Sequence, residues 1–225
     1  MRILILGGNG MLGHKLVHVL GREFDVFAAI RREFSAVERF GIFDRERLLT
    51  GVDVTSERAL KDTLERIRPD VVINCVGIIK QIASTPERMV QINTLLPRKL
   101  AELSARYGFR LISMSTDCVF SGSKGNYVET DPTDADDDYG RTKSSGEVIQ
   151  DNCLTIRSSI IGRELDTSHS LIEWFLSKRG QMITGYTKAI YSGFPTVIFA
   201  EILVGLINDH RDLSGLFHIS SDPIN

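Results

Sequence analysis

Cysteine, net charge and long apolar runs are all scarce in this 225-residue sequence, and each shortage excludes a class of protein. There are three cysteines, Cys75, Cys118 and Cys153. An odd number without metal-ligand spacing points away from a disulfide framework, and thiols within or beside β-prone runs serve as small apolar side chains. The formal charge is −2 and the isoelectric point about 6.2, so the basic excess that nucleic acid or an anionic membrane surface requires is missing. No apolar run approaches the ~20 residues of a membrane span, and no basic segment with an apolar core precedes the first β-prone run. The expectation is a cytoplasmic protein with neither nucleic-acid nor membrane partners. Repeats with a period of roughly 20–50 residues are missing as well, which excludes solenoids and propellers.

What is present is organised around residues 1–20, MRILILGGNGMLGHKLVHVL. Ile3 to Leu6 form an apolar β-prone run that stops at glycines, after which Leu12, Leu16, Val19 and Leu20 recur at helical spacing. Gly7, Gly10 and Gly13 therefore lie between a strand and a helix, with Gly8 and Asn9 inside the turn. Glycine there lets backbone amides approach a pyrophosphate, and the helix N-terminus faces the negative charge. The pattern predicts dinucleotide binding by Gly7, Asn9, Gly10, Met11, Leu12 and Gly13. Phe24 to Ile30 reads as a second strand ending in Arg31 and Arg32, where an NAD-selective site carries an acid for the ribose 2′-hydroxyl. Arginine suits a 2′-phosphate instead, so NADP is the expected cofactor, with NAD the other candidate.

Residues 31–51 lack a clean period and are expected to form one or two short surface helices. Gly51 to Val54 resembles the end of a third strand, placing Asp53 and Val54 with the cofactor, and Thr55 or Ser56 can cap a helix that Pro69 follows. Val71 to Gly77 reads as a buried strand whose small final residues, Cys75, Val76 and Gly77, leave room for a ligand. Pro86 to Tyr107 is an amphipathic helix with a kink expected at Pro97; Asn93 on it faces either the cofactor or solvent. Phe109 to Ser115 and Leu154 to Arg157 are further strands, separated by a helix that begins near Tyr139. Strands alternating with helices six times predict an α/β fold, a Rossmann-like doubly wound parallel sheet over residues 1–160. From 161 to 225 the pattern loosens into a helix at 170–177, a loop at 186–195, a helix at 196–207 and a strand at 215–219. This portion is expected to be a small C-terminal substrate-side lobe, interleaved with the sheet and incomplete.

Tyr139 and Lys143 are four apart at a helix start and so share a face. A phenol with its ordinary pKa of ~10 exchanges protons poorly at neutral pH unless a cation lowers it, which Lys143 is placed to do. Thr116, after the fifth strand, offers a hydroxyl to polarise a carbonyl, and Ser115 adjoins it. A Tyr-x-x-x-Lys pair alone is often a plain surface pair. Asp136, Asp137 and Asp138 precede the tyrosine and are read as a solvated loop. His14 and His18 have helical spacing but no third ligand, so no metal is expected. His169 and His218 belong to no evident cluster, and Trp174 and Phe175 read either as helix core, the commoner place for such aromatics, or as a stacking surface for a nucleotide base.

Taken together, the glycine turn, Thr116 and Tyr139-x-x-x-Lys143 resemble the extended short-chain dehydrogenase/reductase family. Ser115 to Gly122, Tyr127 to Asp131 and Tyr139 to Glu147 are similar to the dTDP-4-dehydrorhamnose reductases within it, as are Gly193 to Thr196 and Gly215 to His218. The chain departs from that pattern at Cys118, where an aromatic residue is usual, and at Ala135, where proline is. The resemblance implies hydride transfer from NADP to the 4-keto group of a nucleotide-linked sugar, with Thr116 orienting the carbonyl, Tyr139 giving the proton and Lys143 holding the nicotinamide ribose. It leaves a homodimer open. A dehydratase of this superfamily is expected to carry glutamate where Cys118 stands, and an epimerase retains NAD, against which Arg31 argues. A non-catalytic NADP-binding regulatory subunit on the same fold is the remaining alternative.

Overall fold

Period-two and period-3.6 apolar segments alternate along the chain, and in the computed structural model, which describes residues 1–224, they become strands and helices in the same order. The elements are β1 (Arg2–Leu6), α1 (Gly13–Leu20), β2 (Asp25–Ala29), β3 (Leu48–Leu49), α2 (Glu57–Ile67), β4 (Val71–Asn74), α3 (Pro86–Met89), α4 (Leu96–Tyr107) and β5 (Arg110–Met114). They continue with α5 (Asp138–Ser145), β6 (Cys153–Arg157), β7 (Ile160–Ile161), α6 (Leu171–Ser177), β8 (Phe194–Pro195), α7 (Thr196–Asp209) and β9 (Gly215–His218). The main sheet is parallel throughout, in the order β3-β2-β1-β4-β5-β6-β9. Its strand order reverses at β1, so a crevice opens beyond the carboxyl ends of β1 and β4, where Leu6 pairs with both Ala29 and Asn74.

Alternate residues of each strand feed two apolar layers. On one face Leu4, Leu6, Val72 and Leu111 meet Leu60 and Leu64 of α2 and Leu100 and Leu103 of α4. On the other Ile3, Ile5, Ile73 and Leu154 meet Leu16 and Leu20 of α1 and Phe199 and Leu203 of α7. Each such fully buried side chain contributes about 1.5–3 kcal/mol. Residues 196–218 thus return to the main sheet: α7 lies beside α1, and β9 extends β6. Outside it, β7 and β8 form a separate two-stranded parallel ladder. No helix among the described residues is long and apolar enough to cross a membrane.

Several boundaries differ from those read in the sequence. The third strand is Leu48–Leu49, not Gly51 to Val54, because Gly51 takes φ +69° and turns the chain out of extended geometry. Residues 31–51 otherwise form two single 3-10 turns, Phe34–Ala36 and Glu38–Phe40. The long helix is not merely kinked at Pro97; it passes through a wide π turn at Val90–Leu95, where the Leu96 amide donates to the Gln91 carbonyl. Pro97 has no amide to offer the Asn93 carbonyl and its ring crowds that turn, so α4 starts afresh with proline in its first turn. Gly146 fills the space beside the released carbonyl, since a Cβ there would stand 1.9 Å from the Asn93 oxygen. The stretch 186–195 is not all loop, because β8 ends it.

Candidate active site and cofactor groove

The turn after β1 is shaped by contacts that only glycine permits. Gly7 sits at φ +79°, and a Cβ on Gly13 would come within 2.1 Å of the Gly7 carbonyl oxygen. The Gly7 and Gly8 amides donate to Ala29 at 3.0 and 3.2 Å, and the Gly10 amide closes the turn on Gly7 at 3.0 Å. Among the described residues Met11 and Leu12 find no backbone acceptor of this kind, so two amides at the start of α1 stand ready for an anion. Asn9 lies at the tip of the same turn. His14 is buried in α1 with Nδ1 2.8 Å from the Gly10 carbonyl, and burial holds its pKa below the ordinary histidine value. Its sequence neighbour at i+4, His18, lies 3.0 Å from Arg22 instead.

The groove walls come from the ends of β2 and β4. Arg31 and Arg32 follow β2, both exposed, and Arg32 pairs with Asp166. The Asp53 carboxylate accepts from the amide and hydroxyl of Thr55 at 2.9 and 2.8 Å, bonds that hold it below the usual carboxylate range; Val54 beside it is half-buried. Cys75, Val76 and Gly77 lead out of β4 against Gly7, where a Cβ would lie 3.0 Å from the Val76 side chain. Asn93 is not solvent-facing and lies beside Gly77, where a Cβ would stand 3.7 Å from its Oδ1. It is 1% exposed, and its amide accepts from Ile78 N at 2.9 Å and donates to Ile78 O at 3.0 Å and Thr142 Oγ1 at 3.2 Å. All three bonds clamp the loop after β4 to α5.

Tyr139 is carried to Thr116 by close packing. Asp137 caps α5, accepting from the Gly140 amide at 2.7 Å, and a Cβ on Gly140 would stand 2.3 Å from the Cys118 carbonyl oxygen. The helix start therefore lies directly on the loop after β5. Thr116 Oγ1 donates to Asp117 Oδ1 and accepts from the Cys118 amide, both at 3.1 Å. Burial pushes the Tyr139 phenol up to about 12; the Thr116 hydroxyl draws it down in part, while Cys118, Asp117 and Asp137 add to the rise. Lys143, which the sequence reading places to lower it, is not among the largest influences on the phenol. Its Nζ donates to the Met114 carbonyl at 2.5 Å, and burial depresses its own pKa to about 8 against the pull of Glu147 and then Cys75. Lys80 Nζ lies over the phenol ring, 5.9 Å from its centroid and 2.5 Å from Asp137 Oδ2. Of the three consecutive aspartates, Asp136 and Asp138 are exposed and Asp137 has the structural task.

A buried polar chain backs this cluster, and no spacing in the sequence announced it. Ser115 spends its hydroxyl on Glu147 Oε1 at 2.7 Å. Arg157 meets both Glu147 oxygens, Nε to Oε1 and Nη2 to Oε2, each at 2.7 Å, with side-chain exposures of 5% and 8%. Its Nη1 lies 3.2 Å from His218 Nε2 and its guanidinium 4.9 Å from the Phe120 ring centroid. The His218 amide donates to Glu129 at 2.8 Å, tying β9 to the loop that follows Thr116. A signal was available only in Arg157 falling within the apolar run of β6, where buried charge demands a partner. A cavity of about 550 Å³ lined by Val17, Phe24 and Phe43 lies away from all these residues, at the other end of β2.

The family described as RmlD substrate binding domain matches residues 1–223. A dTDP-4-dehydrorhamnose reductase of Streptomyces griseus is 32% identical over 166 residues, which cover 70% of this chain and 49% of that protein. The match thus spans about half the length of that relative. A hypothetical dTDP-4-dehydrorhamnose reductase from Sulfolobus tokodaii superposes with a TM-score of 0.82 at 25% identity, covering 100% of this chain and 78% of its own. The Bacillus anthracis dTDP-4-dehydrorhamnose reductase, solved in complex with NADP, shares the fold with a TM-score of 0.76 at 24% identity, over 97% of this chain and 74% of its own.

Proposed function

Because the chain belongs to the RmlD substrate binding domain family, we propose that it is an NADP-dependent reductase acting on the 4-keto group of a nucleotide-linked deoxysugar. The observation that carries the reading is the convergence of Thr116, Tyr139 and Lys143 at the carboxyl end of β5, beside a glycine turn with two unpaired amides. The names of the relatives support the substrate class.

The groove suits a dinucleotide. The amides of Met11 and Leu12 would meet its pyrophosphate, Arg31 and Arg32 its 2′-phosphate, and Cys75 to Gly77 leave space between β1 and β4. When bound, the reduced nicotinamide supplies the hydride. The chain's part is to place the carbonyl and give a proton. Thr116 would turn its hydroxyl from Asp117 to the carbonyl oxygen, and Tyr139, held protonated by burial, would donate to that oxygen as it gains charge. Lys143 sits under the end of β5 with a pKa of about 8, close to neutrality, and is placed to hold the ribose. Cys118 occupies the position where a dehydratase's glutamate would be needed, and its thiol is pushed up by burial, so elimination of water lacks a base.

Oxidation of NADPH against a panel of keto-sugar nucleotides tests the reading. Tyr139→Phe keeps the ring and is expected to lower turnover by ~10²- to 10⁴-fold with NADPH affinity unchanged. Turnover that survives within about threefold would show that the phenol is not the acid.

A further inference from the structure

The two arginines that leave β2 have different surroundings. Arg31 acts on the Asp53 carboxylate, which is already occupied by Thr55. Arg32 donates from Nη1 to the carboxylate of Asp166, in the segment between β7 and α6, 134 residues along the chain. This is the one ion pair among the described residues that joins the segment 158–193 to the half of the molecule bearing the glycine turn. The Asp166 side chain keeps 12% of its surface exposed and that of Arg32 47%. The acid is committed to the contact while the arginine stays open to a second anion.

The segment that delivers Asp166 is braced by its own bonds. Glu164 Oε2 accepts from the amides of His169 and Ser170 at 2.7 and 3.1 Å, and Arg163 pairs with Glu173 at the start of α6. Asp166 is therefore presented to Arg32 by a folded loop rather than by a free strand of chain.

We infer that Asp166 is an internal competitor for the 2′-phosphate: it occupies Arg32 from across the groove and so sets how strongly the site prefers NADP to NAD. The inference rests on the cofactor reading above. The two dinucleotides differ by that phosphate alone, and a carboxylate already on the guanidinium takes one of its donors, offsets its charge and repels the incoming dianion. NADPH has to displace or outbid it, whereas NADH meets no such cost. An acid following β2 is the usual device for selecting NAD; here an acid reaches the same place from the other side of the molecule and acts by neutralising the arginine.

Titration of NADPH and NADH, followed by nicotinamide fluorescence, with the wild-type chain, Asp166→Asn, Arg32→Ala and the double variant tests this. Asp166→Asn should tighten NADPH about fivefold, the worth of one partly exposed ion pair, and leave NADH within about twofold. In the Arg32→Ala background the gain should vanish, because the competitor then has nothing to compete for. Unchanged NADPH affinity in Asp166→Asn would overturn the competition, as would an equal gain for NADH, which would make the segment a steric cover. A wild-type chain that bound neither dinucleotide would overturn the cofactor reading itself.

Discussion

Replacing Arg157 with methionine isolates what the buried ion pair does for the fold. The guanidinium makes three polar contacts, two to Glu147 and one to His218, with 5% of the side chain exposed. Arg157→Met removes all three and leaves the Glu147 carboxylate, itself 8% exposed, with only the Ser115 hydroxyl as a donor. Breaking one partner of such a pair costs about 3–5 kcal/mol, chiefly the cost of the orphaned charge. For a chain of this size about 1 kcal/mol shifts the melting temperature by about 2–4 °C, so a fall of about 10 °C is expected. Replacing both partners, Arg157→Met with Glu147→Leu, removes the orphan and should be milder than the single change. Urea denaturation and thermal melting of the two singles and the double give the cycle. A single change within about 1 kcal/mol of wild type, or a double as costly as the sum of the singles, would refute the account.

Two further outcomes are expected. Lys143 is held to about 8 when folded against an ordinary 10.5, so between those values the unfolded chain binds more protons and this group makes stability rise with pH; Tyr139, at about 12 against 10, makes it fall between pH 10 and 12. Denaturant midpoints across pH 8–10 should climb less steeply in Lys143→Met, and an unchanged slope would assign the titration elsewhere. Gly13→Ala drives a methyl to 2.1 Å from the Gly7 carbonyl oxygen, which the backbone can relieve only by opening the turn. Dinucleotide binding should be lost while the far-ultraviolet spectrum of the helices persists; binding at wild-type strength would show that the turn is not the phosphate site.

The alternation of strands and helices was legible because it is local: Ile3 to Leu6, Val71 to Asn74 and Arg110 to Met114 are apolar runs long enough to declare themselves. The two-residue strands β3, β7 and β8 were not, since their ladders exist only through partners distant in sequence and carry no periodicity of their own. Within the site, the close approach of Tyr139 to Thr116 followed from motif order, but the direction of Lys143 did not. A helix position gives the face on which a lysine leaves, and burial against Met114, Cys75 and Glu147 decides where its four-carbon stem ends. Lys80 and the chain from Ser115 to His218 were illegible for the same reason, being drawn from five separate elements and loops.

The return of α7 and β9 to the sheet gives the molecule a late closing step during synthesis. The face that α1 covers only in part is completed by Phe199, Leu203 and Ile207, and β6 keeps an unpaired edge until residues 215–218 arrive. At about 5–20 residues per second, α7 follows α1 out of the ribosome by about ten seconds or more. Throughout that interval an apolar sheet face and an open strand edge are available to other nascent chains, and the contacts that cover them span most of the sequence. α7 is thus a stopper as much as a structural layer.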